Sequence, residues 1–440
     1  MVQEQKAVNY LAPFITLVIL FFFVGFLTTA NGQFQGPLKA VFLNNAGELS
    51  NTLATLISFA WFMAYPLTGG IGSSWVTKYG YKRTLIQAIL ILITGFAIFW
   101  LSSLYTIKFP DSNFKIASAV IPWGFVIFLA GSYVVGAGTT ILQVVINPYL
   151  TACDVKNTQP VQRLNIGTSA NSVGTTIAPF FVTGIVFGGL SMEEVRINQI
   201  EFSFLGLMAI FAIAALILTQ MRLPDIKGTR AESGEKLDKS VWSFTHLKLG
   251  VIAIFFYVGI EVCVGANINL YVMELQEAGR KFLFFGLDSL RIGDINFAIP
   301  AFMATLYWGG MLVGRLISSS LNKISPRTQL SVAAILAGLS TLGAIIADNP
   351  WLLVTVGLFH SVMWGAIFTL AISRLGKYTS VASGTIMIGV IGGALLPLFQ
   401  GMFADIMGGM WRWTWIIVVI GHIYILYYAL LGSKIRQAAD

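Results

Sequence analysis

Apolar stretches of roughly membrane-spanning length follow one another along almost the whole chain, separated by short polar turns. A helix that crosses the ~30 Å hydrocarbon core of a bilayer needs about 20 mainly apolar residues. Windows of that kind fall at about 11–42, 50–77, 83–106, 120–152, 163–188, 202–221, 247–274, 298–321, 328–346, 351–373, 380–403 and 413–433. The pattern predicts an all-α integral membrane protein of twelve transmembrane helices. One long polar stretch, "RLPDIKGTRAESGEKLDKSVWSFTHLK" at 222–248, follows six spans and precedes six more, and it carries too little apolar surface to fold alone. It divides the chain into an N-terminal six-helix domain (1–221), a cytoplasmic linker (222–246) and a C-terminal six-helix domain (247–440). A pseudo-symmetric pair of this kind is what repeat-built transporters show, with the substrate near the midplane where the repeats meet.

Composition agrees with a membrane solvent. Of 440 residues 56% are apolar and 10% charged, against about 25% charged in an average soluble protein. The net charge of +8 would suit a nucleic-acid binder, but the basic residues gather in segments that face inward if both termini are cytoplasmic, Lys78, Lys82, Arg83, Lys156 and the 222–248 stretch among them. That is the positive-inside rule. It orients the chain in a cell inner (plasma) membrane and implies no nucleic-acid partner. The opening "MVQEQKAVNYLAPF" has no small-residue cleavage site after a short apolar core, so the first span is expected to be retained. Cys153 and Cys263 fall in different halves, which argues against a disulfide, and no metal-ligand spacing occurs. No cofactor is implied, and the chain is expected to work as a monomer in the lipid bilayer.

Inside lipid, polar side chains need partners or water, so their faces trace a cavity. In the fourth span "GAGTTILQVVINPYL" sets Thr139, Gln143 and Asn147 four residues apart on one helix face. In the fifth, "RLNIGTSANSVGTTIAPFF" lines up Asn165, Thr168, Ser169, Ser172, Thr175 and Thr176 as a continuous stripe. The first span clusters Asn31, Gln33 and Gln35, and the tenth buries Trp364 well below the outer surface. Each has a plain structural alternative: hydroxyls commonly bind membrane helices together, the first-span cluster lies where a helix end meets water, and a buried indole commonly fills a core. Together, amides, hydroxyls and buried aromatics suit a neutral polyhydroxyl solute better than an ion or a greasy molecule. Sugars are the leading substrate class.

The seventh span poses a sharper question. "YVGIEVCVGANINLYV" (257–272) holds one carboxylate, Glu261, among residues suited to lipid. An unpaired charge there costs about 2.5–3.5 kcal/mol on insertion scales. Counted from Leu247, Glu261 lies roughly 21 Å along the helix, near the bilayer centre. Pairing with a buried partner, sugar binding and cation binding are all open as the compensation. Asn269 lies about 80° around the helix from Glu261 and Asn267 about 120°, so a straight helix cannot present all three; a break at Gly265 would. His360 and His422 read as isolated helix-packing or interfacial residues, and no nucleophile with a base points to an enzyme.

The segments "FFFVGFLTTANGQF", "QVVINPYLTACD" followed by "QRLNIGTSANSVGTTIAP", "FYVGIEVCVGANINLY", "GRLISSS" and "IGGALLPLFQGMFAD" resemble, in order and spacing, the fucose/galactose/glucose symporter family of the major facilitator superfamily. The most specific element is Asn147–Tyr149 with Arg163–Asn165. The inner turns at 70–84 and 314–329 are similar to the superfamily's signature loop, with Thr77 near the place of its usual acidic residue. The resemblance implies the major facilitator fold, alternating access by rocking of two six-helix domains, and a sugar held between them. Fucose-transporting members carry one carboxylate just after the asparagine that aligns with Asn31 and another where Gln143 stands. Gly32 and Gln143 cannot take up a proton, which leaves Glu261 as the deep carboxylate for coupling. The expectation is a secondary active importer of a glucose- or galactose-like hexose, coupled through Glu261 to a proton or sodium ion. Its candidate sugar ligands are Asn31, Gln33, Gln143, Asn147, Asn165, Glu261, Asn267, Asn269 and Trp364. An uncoupled facilitator and a non-transporting sugar sensor are the alternatives.

Overall fold

The computed structural model describes residues 10–44, 46–117, 119–153, 155–156, 158, 160–188, 195–221, 223, 238–287, 289–292, 295–320 and 324–436. Both chain ends, Asp154 and most of the linker expected at 222–246 lie outside the described residues.

Apolar sequence becomes helix in lipid because a helix satisfies its backbone polar groups within the segment. The first span is α1 (Leu11–Gln33), continued across a bend by α2 (Gln35–Phe42). α3 (Ser50–Lys108) covers two expected spans, but Gly80 inside it has φ 79° and ψ 169°, a conformation for which glycine is suited, so two helices meet there at a sharp turn. α4 (Trp123–Ala152), α5 (Pro160–Phe180, extended by a π-helical turn at Phe181–Val186) and α6 (Gln199–Gln220) follow. Beyond the linker come α7 (Thr245–Glu277), α8 (Ile299–Ser320) and α9 (Pro326–Ala347). The chain closes with α10 (Trp351–His360), α11 (Met363–Ala371), α12 (Thr379–Ile386), α13 (Gly392–Ile406) and α14 (Ile416–Tyr427). Among the described residues nine helical stretches are long and apolar enough to cross a membrane. The protein is a multi-spanning helical membrane protein. Two short antiparallel hairpins, invisible to hydropathy, lie in its connections: β1 (Asn113–Ile116) with β2 (Ala119–Pro122), and β3 (Ser289–Ile292) with β4 (Ile295–Ala298).

Packing places the polar stripes. α1 lies on α5, α3 on α4 and α6, α13 on both α3 and α7, and α8 on α5 and α10. Small residues let these backbones approach: a Cβ on Gly174 would stand 2.2 Å from the carbonyl oxygen of Phe22. The break that Gly265 could permit is not formed, since α7 is continuous from Thr245 to Glu277. Glycine is needed there for a different reason, because a Cβ would stand 2.3 Å from the Trp308 ring of α8.

One end of the bundle is shut by contacts between elements distant in sequence. Asp405, near the end of α13, accepts from the backbone N–H of Asn51 (3.1 Å) and Thr52 (2.7 Å) and from Thr52 Oγ1 (2.5 Å). These groups open α3, where unpaired N–H groups and the helix dipole favour a carboxylate. Lys39 Nζ donates to Asn51 Oδ1 at 2.6 Å. Asp348 accepts from Tyr271 Oη at 2.6 Å and pairs with Arg280. Towards the opposite ends of α4 and α5, Asn147 and Asn165 are exposed.

Asp405→Ala removes three bonds from the shut end. At about 0.6 kcal/mol for an average interhelical bond in a membrane protein, that end should loosen by on the order of 1–2 kcal/mol. Spin labels on the exposed flanks of α3 and α13 should then report a longer, broader distance distribution. An unchanged distribution would show that Asp405 does not hold this end.

Candidate functional site

Midway along the bundle, α3, α4 and α5 turn polar side chains towards α7 and α8. Gln143 of α4 donates from Nε2 to Tyr65 Oη of α3 at 2.6 Å, and Thr28 and Trp61 border the same hydroxyl. Opposite stands Glu261, half-buried on α7, with Arg315 of α8 as its charge partner and Tyr257, one turn earlier, beside its carboxylate. Tyr65 and Tyr307 lie within electrostatic reach of Glu261.

Arg315 does more than balance a charge. Its guanidinium donates to Ser172 Oγ of α5. Ser172 can accept because its own proton is committed to Thr168 O, 2.9 Å away on the same helix. Thr175 and Thr176 likewise donate to their own helix, at Ser172 O, each at 2.8 Å. The α5 stripe therefore offers acceptors to its surroundings. Arg315 lies five residues before the end of α8, but helical side chains lean towards the N-terminus, which carries its head away from the helix end and towards Glu261. Trp364 of α11 is half-buried with its ring 6.2 Å from that of Tyr257. Donors, acceptors and an aromatic face thus surround one mid-bundle region.

The expected ligands divide into three groups. Gln143, Glu261 and Trp364 belong to this region, and Asn147 and Asn165 are exposed farther along α4 and α5. Gln33 and Asn269 meet each other: Asn269 Nδ2 donates to Gln33 Oε1 at 2.5 Å, and Gln33 Nε2 donates to Gly265 O at 2.9 Å. They clasp α1 to α7. Asn31 and Asn267 are engaged elsewhere. Asn31 Nδ2 donates to Ile57 O (3.1 Å) and its Oδ1 accepts from Ser132 Oγ (2.8 Å), while Asn267 Nδ2 donates to Gln400 Oε1 (2.9 Å). Buried amides find such partners on neighbouring helices, and on unbroken α7 the side chain of Asn267 points away from Glu261. Gly32 also has a packing reason: a Cβ there would stand 3.0 Å from Ala266 Cβ of α7. Arg163, buried, donates to Leu150 O and Thr158 O and ties the end of α4 to the start of α5.

The two histidines expected to be isolated are not. His360 of α10 and His422 of α14 approach Nε2 to Nε2 at 2.8 Å. His360 Nδ1 lies 2.8 Å from Tyr307 Oη, which lies 3.2 Å from the backbone carbonyl oxygen of Glu261. All three side chains are buried. An imidazolium has donors only, so at least one of the two rings is neutral. A spacing of 62 residues along the chain gave no hint of the contact. Tyr65, Tyr257 and Arg315 were also missed. Arg315 did carry a signal, as a basic residue inside the apolar window 298–321.

Among known proteins, the family profile of the Major Facilitator Superfamily matches residues 21–393. The chain is 31% identical over 435 residues to the glucose/galactose transporter of Brucella abortus biovar 1 (strain 9-941), covering 97% of this chain and 95% of that one. It is 24% identical over 471 residues to the L-fucose-proton symporter of Haemophilus influenzae, covering 99% of each. The crystal structure of the E. coli fucose:proton symporter superposes with a TM-score of 0.63 at 20% identity, covering 97% of this chain and 100% of that one.

His360→Leu should leave Tyr307 and His422 short of a partner. A buried polar group left unpaired costs about 1–3 kcal/mol, so the thermal unfolding midpoint in detergent should drop by several degrees, while Asn165→Ala, at an exposed position, leaves it in place. Equal midpoints for His360→Leu and the wild type would show that the chain adds no stability.

Proposed function

The chain belongs to the fucose/galactose/glucose symporter family of the major facilitator superfamily, and from that premise we propose that it carries a glucose- or galactose-like hexose across the inner membrane together with a proton, by alternating access. In this reading it makes twelve crossings in two six-helix domains, 1–221 and 247–440, with both termini cytoplasmic and 222–246 as the linker. The shut end is then the outer one, and the state is inward-facing.

The observation that carries the proposal is the juxtaposition of Gln143 and Tyr65 from one domain with Glu261, Arg315 and Trp364 from the other. Amides and phenols on one side and a spaced charge pair with an indole on the other suit a ring that bears hydroxyls at its edge and C–H groups on its face. The glucose/galactose transporter at 31% identity supports a hexose as the cargo.

Arg315 favours a proton over sodium. A sodium ion at Glu261 would sit beside the guanidinium and be repelled by it, whereas a proton merges with the carboxylate and adds no separate cation. Ionised Glu261 draws Arg315 towards its own domain. Protonated, it leaves Arg315 to Ser172 across the domain interface. Proton binding then biases which end of the bundle opens, and by linkage the sugar that prefers one state alters the proton's affinity in equal measure.

Two substitutions test this reading. Gln143→Ala removes one amide that donates and accepts, worth about 0.5–1.5 kcal/mol net, so hexose affinity measured on purified protein should fall severalfold; unchanged affinity in a folded variant would remove Gln143 from the site. Glu261→Gln keeps size and hydrogen bonding but cannot ionise. In proteoliposomes it should abolish hexose accumulation driven by a proton gradient while part of the exchange between equal pools survives. Continued accumulation against a gradient would exclude Glu261 as the coupling group and favour another route. Loss of exchange as well would make sugar binding its main duty, as an uncoupled facilitator requires.

A further inference from the structure

Tyr257 is 1% exposed, and its hydroxyl makes no hydrogen bond of ordinary geometry. Its neighbours are nevertheless polar. The Glu261 carboxylate stands beside it on α7 and the Arg315 guanidinium on α8. A buried hydroxyl without a partner is costly, and native proteins retain one mainly where something else completes it. The other polar groups packed nearby are already engaged: Tyr307 Oη with His360 and the Glu261 carbonyl, and Tyr65 Oη with Gln143.

The three neighbouring groups define what could complete them. A carboxylate only accepts, a guanidinium only donates, and a phenol beside both has a proton to give. A sodium ion would satisfy Glu261 and oppose Arg315. An anionic ligand would satisfy Arg315 and oppose Glu261. A hydroxyl group suits all three, since it donates one proton and accepts two.

Building on the hexose reading above, we infer that Tyr257, Glu261 and Arg315 form a subsite for one hydroxyl of the sugar, with Tyr257 as its specificity-determining residue. The sugar O–H donates to Glu261 and accepts from Tyr257 Oη and from an Arg315 N–H. Arg315 keeps its bond to Ser172 of α5, so the occupied subsite is tied to the opposite domain. The ring of Trp364, 6.2 Å from that of Tyr257, stands where it can cover an apolar face of the same sugar.

The test is a ligand-and-protein cycle on the full-length protein in detergent, with binding of D-glucose, D-galactose and their monodeoxy analogues measured for wild type and Tyr257→Phe. One deoxy position should weaken wild-type binding by about tenfold or more, and Tyr257→Phe should weaken the parent hexose by about tenfold, the scale of one good hydrogen bond. The variant should bind that one deoxy analogue as tightly as the wild type does, while the other analogues lose as much as the parent. Tyr257→Phe removes an oxygen that closes no hydrogen bond of ordinary geometry, so the sugar-free unfolding midpoint should stay level or rise. Equal losses for every analogue, or none, would overturn the subsite, the second result showing that at most an ordered water completes the Tyr257 hydroxyl. If the wild type binds no hexose at all, the hexose reading fails and the subsite with it. If hexoses bind but the cycle shows no coupling, the subsite alone falls.

Discussion

A carboxylate within a bilayer is tolerated only when something nearby makes it worth keeping, and Glu261 is kept by a guanidinium that leans on another part of the protein. Arg315 reaches Glu261 electrostatically and Ser172 by a hydrogen bond, so a charge on α7 is felt by α5 through α8. Had Arg315 closed a tight ion pair with Glu261, the two would have formed an inert buried bridge. Beside them the buried hydroxyl of Tyr257 closes no hydrogen bond of ordinary geometry. In the proposed cycle Arg315 shifts between its two partners, Glu261 and Ser172.

The surrounding packing serves that arrangement. Gly265 admits Trp308 and keeps α8 close to α7, which sets the reach of Arg315. Tyr307, anchored by His360 and through it by His422, touches the backbone of Glu261 itself. Four helices of the C-terminal part, α7, α8, α10 and α14, are thus joined at the level of the carboxylate. Nearer the shut end, Gln33 and Asn269 clasp α1 to α7, and Asp405 accepts from the first turn of α3. Bonds of this kind are individually weak in membranes, which suits a closure that has to open in every cycle.

Much of this was legible in the sequence and some was not, for a consistent physical reason. Hydropathy reports length, so a multi-spanning helical membrane protein was readable, including the two expected spans that run together as α3. Periodicity reports which residues share a face of one helix, so the α5 stripe and the depth of Glu261 were readable too. Neither reports which face meets which. Asn31 and Asn267 looked like free amides until Ile57, Ser132 and Gln400 were seen to engage them. His360 and His422 looked alone because their contact depends on how α10 and α14 pack. Tyr65 and Tyr257 gave no polar periodicity of their own, and Arg315 lies near a helix end in sequence, whereas the structure sets it beside Glu261. Gly265 showed the converse error: a residue that permits a bend was needed for close packing.

In the proposed cycle sugar and positive charge cross together through a path that sodium does not share. A hexose concentration jump on proteoliposomes adsorbed to a solid-supported membrane measures this directly, because it records charge that moves with the sugar. In sodium-free buffer a positive current into the vesicles is expected, persisting unchanged when sodium is added. No current, or one that appears only with sodium, would contradict that cycle.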